Sequence, residues 1–364
     1  MMRKVLLGDV IKINPTTKVT KNQIVKFVSM DKLDPFTKVP NGYEKRKFSS
    51  GAKFTNGDTL LARITPCLEN GKTAFVDFLD DLEVAAGSTE FVILRNIEGL
   101  TDPAYIYYLS ISPAFRDYAI KSMVGTSGRQ RVQNDVLAKM ELSLPPLDQQ
   151  KKIADILSSL DEKIELNRRM NETLEQLGQT LFRHYFIDNP DAKNWKKRSL
   201  GEFFPVKTGK KDANFGTKDG KFPFFTCAQT ISRAPSCSFD GSAILVAGNG
   251  DFNIKYYTGK FEAYQRTYVL IPHNEELLGF LYFLMKKDLS LITGGSRGSV
   301  IKFITKGMIE NYRVELPDDN DLAAFAPIFS ELLALMSHSN EQIQTLAALR
   351  DALLPKLISG EIEI

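Results

Sequence analysis

Two stretches constrain the fold of this chain more than any others. Residues 145–186, PPLDQQKKIADILSSLDEKIELNRRMNETLEQLGQTLFRHYF, contain no proline after the opening pair and no glycine before Gly178. Asp148 stands where its carboxylate can accept from an orphan N–H of a first helical turn. Ile153, Leu157, Leu160, Ile164, Asn167, Asn171, Leu174, Gly178, Leu181 and Tyr185 recur in steps of four and three. A period of about 3.5 keeps one seam of a helix turned towards a partner helix. The run therefore predicts one helix of about 40 residues, far beyond the globular mean of roughly 11–12. After Pro317 the rhythm returns in Leu322, Phe325, Phe329, Leu332, Met336, Ser339, Ile343, Leu346, Arg350, Leu353 and Leu357. Pro327 lies near the start, where a missing N–H matters little, and Pro355 weakens the last turn. Both seams are apolar at their ends and polar in the middle, at Asn167 and Asn171 in the first and Ser339 in the second. Buried asparagine costs stability but fixes register and partner number. Two long helices with matching seams are each other's obvious partners.

What precedes each helix is also duplicated. LGDV at 7–10 returns as LGEF at 200–203, and GDTLLAR at 57–63 as GSAILVAG at 241–248. STEFVIL at 88–94 matches QRTYVLI at 265–271, and AYIYYL at 104–109 matches GFLYFL at 279–284. GTSGRQRV at 125–132 matches GGSRGSVI at 294–301, and ELSLP ending at Pro145 matches VELP ending at Pro317. The order never changes, and the unit is too long for a solenoid. The expected architecture is α+β, a mixed domain followed by a long helix, twice over. Its expected limits are 1–144 and 188–316 for the domains, and 145–187 and 317–364 for the helices. LLARI, TAFVDF, TEFVIL and ELSL read as strands in the first domain, and FPFFT, AILVAG, IKYYTG and TYVLI in the second. DPAYIYYLSISPAFRDYAIK reads as helix broken at Pro113, with LLGFLYFLMKK as its counterpart.

No catalytic motif stands out. P-loop, HExxH, GxSxG and the NPPY or DPPY run of adenine methyltransferases are all missing. AGNGDF at 247–252 resembles a nucleotide-binding turn, but strand-like FNIKYYTGKF follows it, where a phosphate-cradling turn feeds a helix. The three cysteines lack zinc spacing, and the three histidines are far apart. No ligand set for a metal or cofactor is expected in this chain. The N-terminus does not read as a signal peptide, and no uninterrupted apolar run reaches the ~18–20 residues of a membrane span. The expected location is the cytoplasm, with no membrane partner.

Net charge is only +3, so affinity for a polyanion must come from local patches. The first half offers Lys45, Arg46, Lys47, Arg63, Asn70, Lys72, Ser127, Arg129, Gln130 and Arg131. The second offers Lys207, Lys210, Lys211, Asn249, Lys255, Gln265, Arg266, Ser296, Arg297 and Lys302. Lys and Arg neutralise phosphates, while Arg, Asn and Gln read base edges through paired hydrogen bonds. Ser127-Gly128-Arg129 and Ser296-Arg297-Gly298 occupy the same place in both repeats, with glycine allowing close backbone approach.

These segments resemble the specificity subunits of type I restriction–modification systems over nearly the whole chain. SGRQRVQNDVLAKMELSLPPLDQQKKIADILSSLDEKIELNRRMNETLEQLGQTLFRHYF looks like that family's central conserved region. GGSRGSVIKFITKGMIENYRVELP and LPKLISGEI look like its distal one. NGDTLLARITPCLENGKTAFV and TGKFEAYQRTYVL resemble segments of its recognition domains. The second helix departs from the pattern, because DDNDLAAFAPIFSEL replaces the DQQKKIA wording.

The resemblance implies two target-recognition domains, each reading half of a bipartite, asymmetric site in double-stranded DNA. It implies two helices paired antiparallel as a coiled-coil spacer, with pseudo-two-fold symmetry. It implies a subunit without chemistry of its own. S-adenosylmethionine would sit on two modification subunits that methylate adenine, and ATP and Mg on the restriction subunits. A helix of ~35–40 residues is ~52–60 Å long, on the order of 15–18 base pairs. Two other readings remain: a coiled-coil scaffold that binds only proteins, and a stand-alone DNA methyltransferase or nuclease.

Overall fold

The computed structural model describes residues 2–126, 128–294 and 302–364. The chain forms two compact units, one of residues 1–167 with 342–364, the other of 168–341. Both long helices are present, Leu147–Phe182 and Asp319–Ser359. Each contributes one part to each unit. The first continues through a π turn, Arg183–Ile187, and the second runs through Pro355.

In the first unit a four-stranded antiparallel sheet has the order Ile11–Ile13, Phe91–Asn96, Thr59–Ala62, Thr73–Phe75. A second sheet has the order Glu44–Lys47, Ile24–Val28, Ala85–Gly87, Ala52–Phe54. Arg3–Leu6 pairs with Glu141–Leu144, the strand that leads into the first long helix. Helices Pro103–Ile111 and Pro113–Lys121 follow the sheets, the first capped by the Asp102 carboxylate on the Tyr105 N–H. Pro113 forces the break, since it has no N–H to donate to the preceding helix's hydrogen-bond ladder.

The second unit repeats this pairing order within a single six-stranded sheet. Val206–Thr208, Thr267–Leu270, Phe239–Ala247 and Ile254–Ala263 pair in the same order and sense as the first sheet of unit 1. Phe222–Phe225 then joins parallel to Ile254–Ala263, as Ile24–Val28 joins Ala85–Gly87. Unit 2 thus makes from one ten-residue strand what unit 1 makes from two three-residue strands. Lys196–Ser199 pairs with Arg313–Leu316, ahead of the second long helix. The repeated glycines explain one shared motif: a Cβ on Gly8 would meet Ala138 at 3.1 Å, and one on Gly201 the Glu310 carbonyl at 3.1 Å.

The long helices run antiparallel within each unit. In unit 1 Asp161 faces Arg350 and Asn167 faces Gln342; in unit 2 Asn171 faces Asn340. The amide bonds are 3.0 Å from Asn167 to Gln342 and 2.9 Å from Asn171 to Asn340. Ile153, Leu157, Ile164, Asn167, Leu332, Met336 and Ser339 are buried, as the heptad pattern predicts. Leu160, Leu174, Leu181, Ile343, Leu346 and Leu353 are half-buried. Beside Leu160 the buried position belongs to Asp161, because the globular part of unit 1 also covers that side of the helix through Tyr108. The second long helix has an 18-residue window of mean hydropathy 1.3, long and apolar enough to cross a membrane by length and composition. In this fold Phe329, Leu332, Leu333 and Met336 on that helix are buried in the core of unit 2.

Tyr108 and Phe283 hold the same place in the repeat but meet different neighbours. The Tyr108 hydroxyl donates to Asp161 at 2.8 Å, whereas the Phe283 ring lies against Gly178. A Cβ on Gly178 would fall 2.2 Å from that ring, and Phe283 is fully buried. Gly178→Ala gains about 1 kcal/mol in helix propensity but overpacks a closed core at about 1–3 kcal/mol. The substitution is therefore expected to lower the urea midpoint, and a raised midpoint would show that the ring has room to move.

Candidate nucleic-acid interface

In unit 1 two loops are stitched onto the ends of the central strands. Strand Thr59–Ala62 runs into Arg63, whose N–H donates to the Glu90 carbonyl at 2.9 Å. The Arg63 carbonyl accepts from the Val132 N–H at 2.9 Å, and Thr65 N–H donates to the Gln130 carbonyl at 3.1 Å. Arg131 forms β-bridges with both Ile64 and Val124. Val124 and residues 130–132 of the basic loop are thereby fixed beside Arg63. Arg63, half-buried, lines an open groove of about 450 Å³ together with Thr16, Thr17, Lys53 and Thr89. Arg131 lies on Glu90: Nε donates to its carboxylate at 2.9 Å and Nη2 at 2.7 Å. Those bonds hold the Glu90 carboxyl below its ordinary range.

Unit 2 repeats the stitching on the matching segments. Gly248 N–H donates to the Arg266 carbonyl at 2.8 Å, and the Gly248 carbonyl accepts from Ile304 N–H at 3.0 Å. Asn249 bridges Phe303, and Gly250 N–H reaches the Lys302 carbonyl at 3.2 Å. A groove of about 270 Å³ opens here, lined by Gly248, Gln265, Arg266, Tyr268 and Ile304. Beside it the loop after Phe222–Phe225 is pinned down. Asn253 Nδ2 donates to the Cys227 carbonyl at 2.8 Å, and Lys255 Nζ to the Ala228 carbonyl at 2.7 Å. Burial pushes the Lys255 ammonium pKa down.

The structure thus gathers Arg63, Gln130 and Arg131 in unit 1, and Asn249, Gln265, Arg266 and Lys302 in unit 2. Other candidates lie elsewhere or are engaged internally. Lys45, Arg46 and Lys47 lie on the exposed strand Glu44–Lys47 of the other sheet, with Arg46 stacked 3.2 Å over the Phe27 ring. Lys72 donates to the Met30 carbonyl at 3.0 Å, while Asn70 is exposed in the neighbouring turn. Lys207 and Lys210 are exposed, and the Lys211 ammonium stands 4.3 Å from the Phe215 ring centre. Ser127, Ser296 and Arg297 lie outside the described residues. Lys53 is a further cation at the first groove, whereas Glu90, Thr16, Thr17 and Tyr268 are neither cations nor amides and composition does not point to them. Only the position of Glu90 inside a repeated segment pointed to it. Arg129 is exposed in the stitched loop. Arg129→Ala is expected to reduce the slope of log affinity for duplex DNA against log salt by about 0.9, the value for one phosphate contact. An unchanged slope would remove Arg129 from the phosphate contacts.

Residues 2–176 and 192–346 each match the model of the type I restriction modification DNA specificity domain. The chain belongs to that family. It is 44% identical over 173 residues to the type I restriction enzyme EcoDI specificity subunit of Escherichia coli, covering 46% of this chain and 39% of that protein's length. It is 25% identical over 301 residues to the MjaIX specificity subunit of Methanocaldococcus jannaschii, covering 71% of this chain and 69% of that protein. The crystal structure of a type I restriction–modification S subunit from M. genitalium shares the fold. That likeness has a TM-score of 0.56 at 18% identity, over 98% of this chain and 96% of the other. The duplicated DNA specificity domain corresponds to the repeat seen in the sequence and in the strand order.

Proposed function

We propose that this specificity-family chain recognises a bipartite, asymmetric sequence in double-stranded DNA, one half through each stitched loop cluster. The observation that carries this reading is the repetition of one arrangement at the same strand ends of both units. The groups it presents are Arg, Gln and Asn, the side chains suited to paired hydrogen bonds with base edges. The long helices act as the spacer and as the seat of two modification subunits. In support, Leu166, Met170 and Leu177 on the first helix and Leu335 and Leu349 on the second are exposed apolar residues. In this reading the partner subunits supply the chemistry, adenine methylation with S-adenosylmethionine and ATP- and Mg-dependent restriction, in the cytoplasm. The target adenine is flipped into the modification subunit.

The test is co-expression with the neighbouring modification subunit, followed by mapping of methyladenine in host DNA. Methyladenine in both halves of an interrupted motif is expected. A stable complex that retains no duplex DNA would favour the protein-only scaffold. Binding of S-adenosylmethionine by the isolated chain would revive the stand-alone enzyme.

A further inference from the structure

We infer that Arg131, clamped by Glu90, reads a guanine in the half-site met by the first unit, a role that rests on the DNA recognition proposed above. Arg131 Nε lies 2.9 and 3.1 Å from the two carboxylate oxygens of Glu90, and Nη2 lies 2.7 Å from one of them. The carboxylate therefore holds the guanidinium along its Nε–Nη2 side. The far edge carries the N–H donors of Nη1 and the second N–H of Nη2, and among the described residues it makes one approach, 3.5 Å from Nη1 to the Arg129 carbonyl. Two coplanar donors at that spacing match O6 and N7 of guanine in the major groove. The Arg131 side chain is 41% exposed and that of Glu90 25%, so the clamped guanidinium remains accessible from solvent.

Charge argues against a phosphate as the target. The Arg131–Glu90 pair is neutral, and a neutral pair displaces little of the counterion atmosphere that drives phosphate contacts. What the clamp supplies is a fixed plane, which lowers the ordering cost of a directional contact. The comparison between repeats points the same way. The backbone stitching is common to both units, but the place of Glu90 in it, donor Arg63 N–H to its carbonyl, is taken in unit 2 by Arg266. A device present in one head and replaced by a cation in the other is suited to distinguishing half-sites rather than to holding up the shared scaffold.

The experiment is selection from a duplex pool randomised in sequence, using the complex with modification subunits that carries wild-type chain, Arg131→Lys, Arg131→Ala or Glu90→Ala/Arg131→Ala. Arg131→Lys keeps the charge and loses the planar fork. It is expected to lose guanine preference at one position of one half-site by about 5- to 150-fold, the range of a bidentate pair. The other half-site and the salt slope should stay as in wild type. The double variant leaves no unpaired carboxylate, and should show the same loss at the same position. Guanine preference retained in all variants would overturn the inference and leave DNA recognition standing. A salt slope flattened with base preference intact would make Arg131 a phosphate contact and also overturn it. A wild-type complex that enriched no sequence would overturn the recognition function itself.

Discussion

Asp161→Ala is expected to remove about 3–5 kcal/mol from the unit that contains it, a large share of the roughly 5–15 kcal/mol available to a domain. Asp161 and Arg350 are 5% and 4% exposed and meet at 2.7 Å. The second Asp161 oxygen accepts from the Tyr108 hydroxyl, and Arg350 Nη1 also donates to the Phe36 carbonyl at 3.2 Å. Both helices and the sheet domain of unit 1 thus converge on one ion pair. Burial alone would lower the Arg350 pKa, but the Asp161 and Asp351 carboxylates beside it raise it, so its charge persists at any ordinary pH. Removing the aspartate leaves that charge, among the described residues, with the exposed Asp351 and one carbonyl. The cost is a stranded cation more than a lost attraction, because desolvation nearly cancels the gain of a buried pair. Asp161→Leu combined with Arg350→Met should therefore be less harmful than either single alanine variant. Recovery stays incomplete, since the Tyr108 hydroxyl and the Phe36 carbonyl lose partners. Urea midpoints for the single and double variants give the order. Single variants within about 1 kcal/mol of wild type would mean the pair is solvated and does not organise the junction.

Asp161 marks the limit of what the sequence made legible. The three-four rhythm located both helices and the polar middle of their seam, because period is a local property. It passed from Leu157 to Leu160 and left out Asp161, which is buried by a domain distant in sequence. Strands with apolar runs, such as Glu141–Leu144 and Thr267–Leu270, were legible for the same local reason. Glu44–Lys47 reads in the sequence only as a basic patch, since EKRK is an exposed edge strand with no apolar alternation. Ala52–Phe54 and Ala85–Gly87 are three residues each, too short to show a period of two. At the candidate interface, composition points to Arg63 and Arg131 as cations but not to the bonds that separate their surroundings. Arg131 is neutralised by a carboxylate, and Lys72 is bonded to a backbone carbonyl. Those differences exist only once the strands have paired.

Removing residues 165–171 and 340–346 together should abolish recognition of the native site while leaving both units folded. These segments face each other by the register that pairs Asn171 with Asn340. Seven residues are two turns less about 20°, so the helices rejoin with their seams aligned and Asp161 still opposite Arg350. Each helix loses about 10.5 Å, roughly three base pairs of DNA. A spacer shortened by that amount cannot present both loop clusters to half-sites at the native separation, and binding falls to that of one half-site. Selection from a pool of all gap lengths should return a gap about three base pairs shorter. Three base pairs also turn the second half-site by about 100° around the duplex, at 10–10.5 base pairs per turn. DNA twist or bending must absorb that rotation, so affinity for the shortened site stays below that of the native chain for its own. Deleting four residues from each helix instead would rotate the apolar seam away from its partner, and a melting temperature far below that of the seven-residue variant separates a misfolded spacer from a shortened one. If the seven-residue variant kept the native gap at native affinity, the helices would not be the ruler, and spacing would have to be set by the partner subunits.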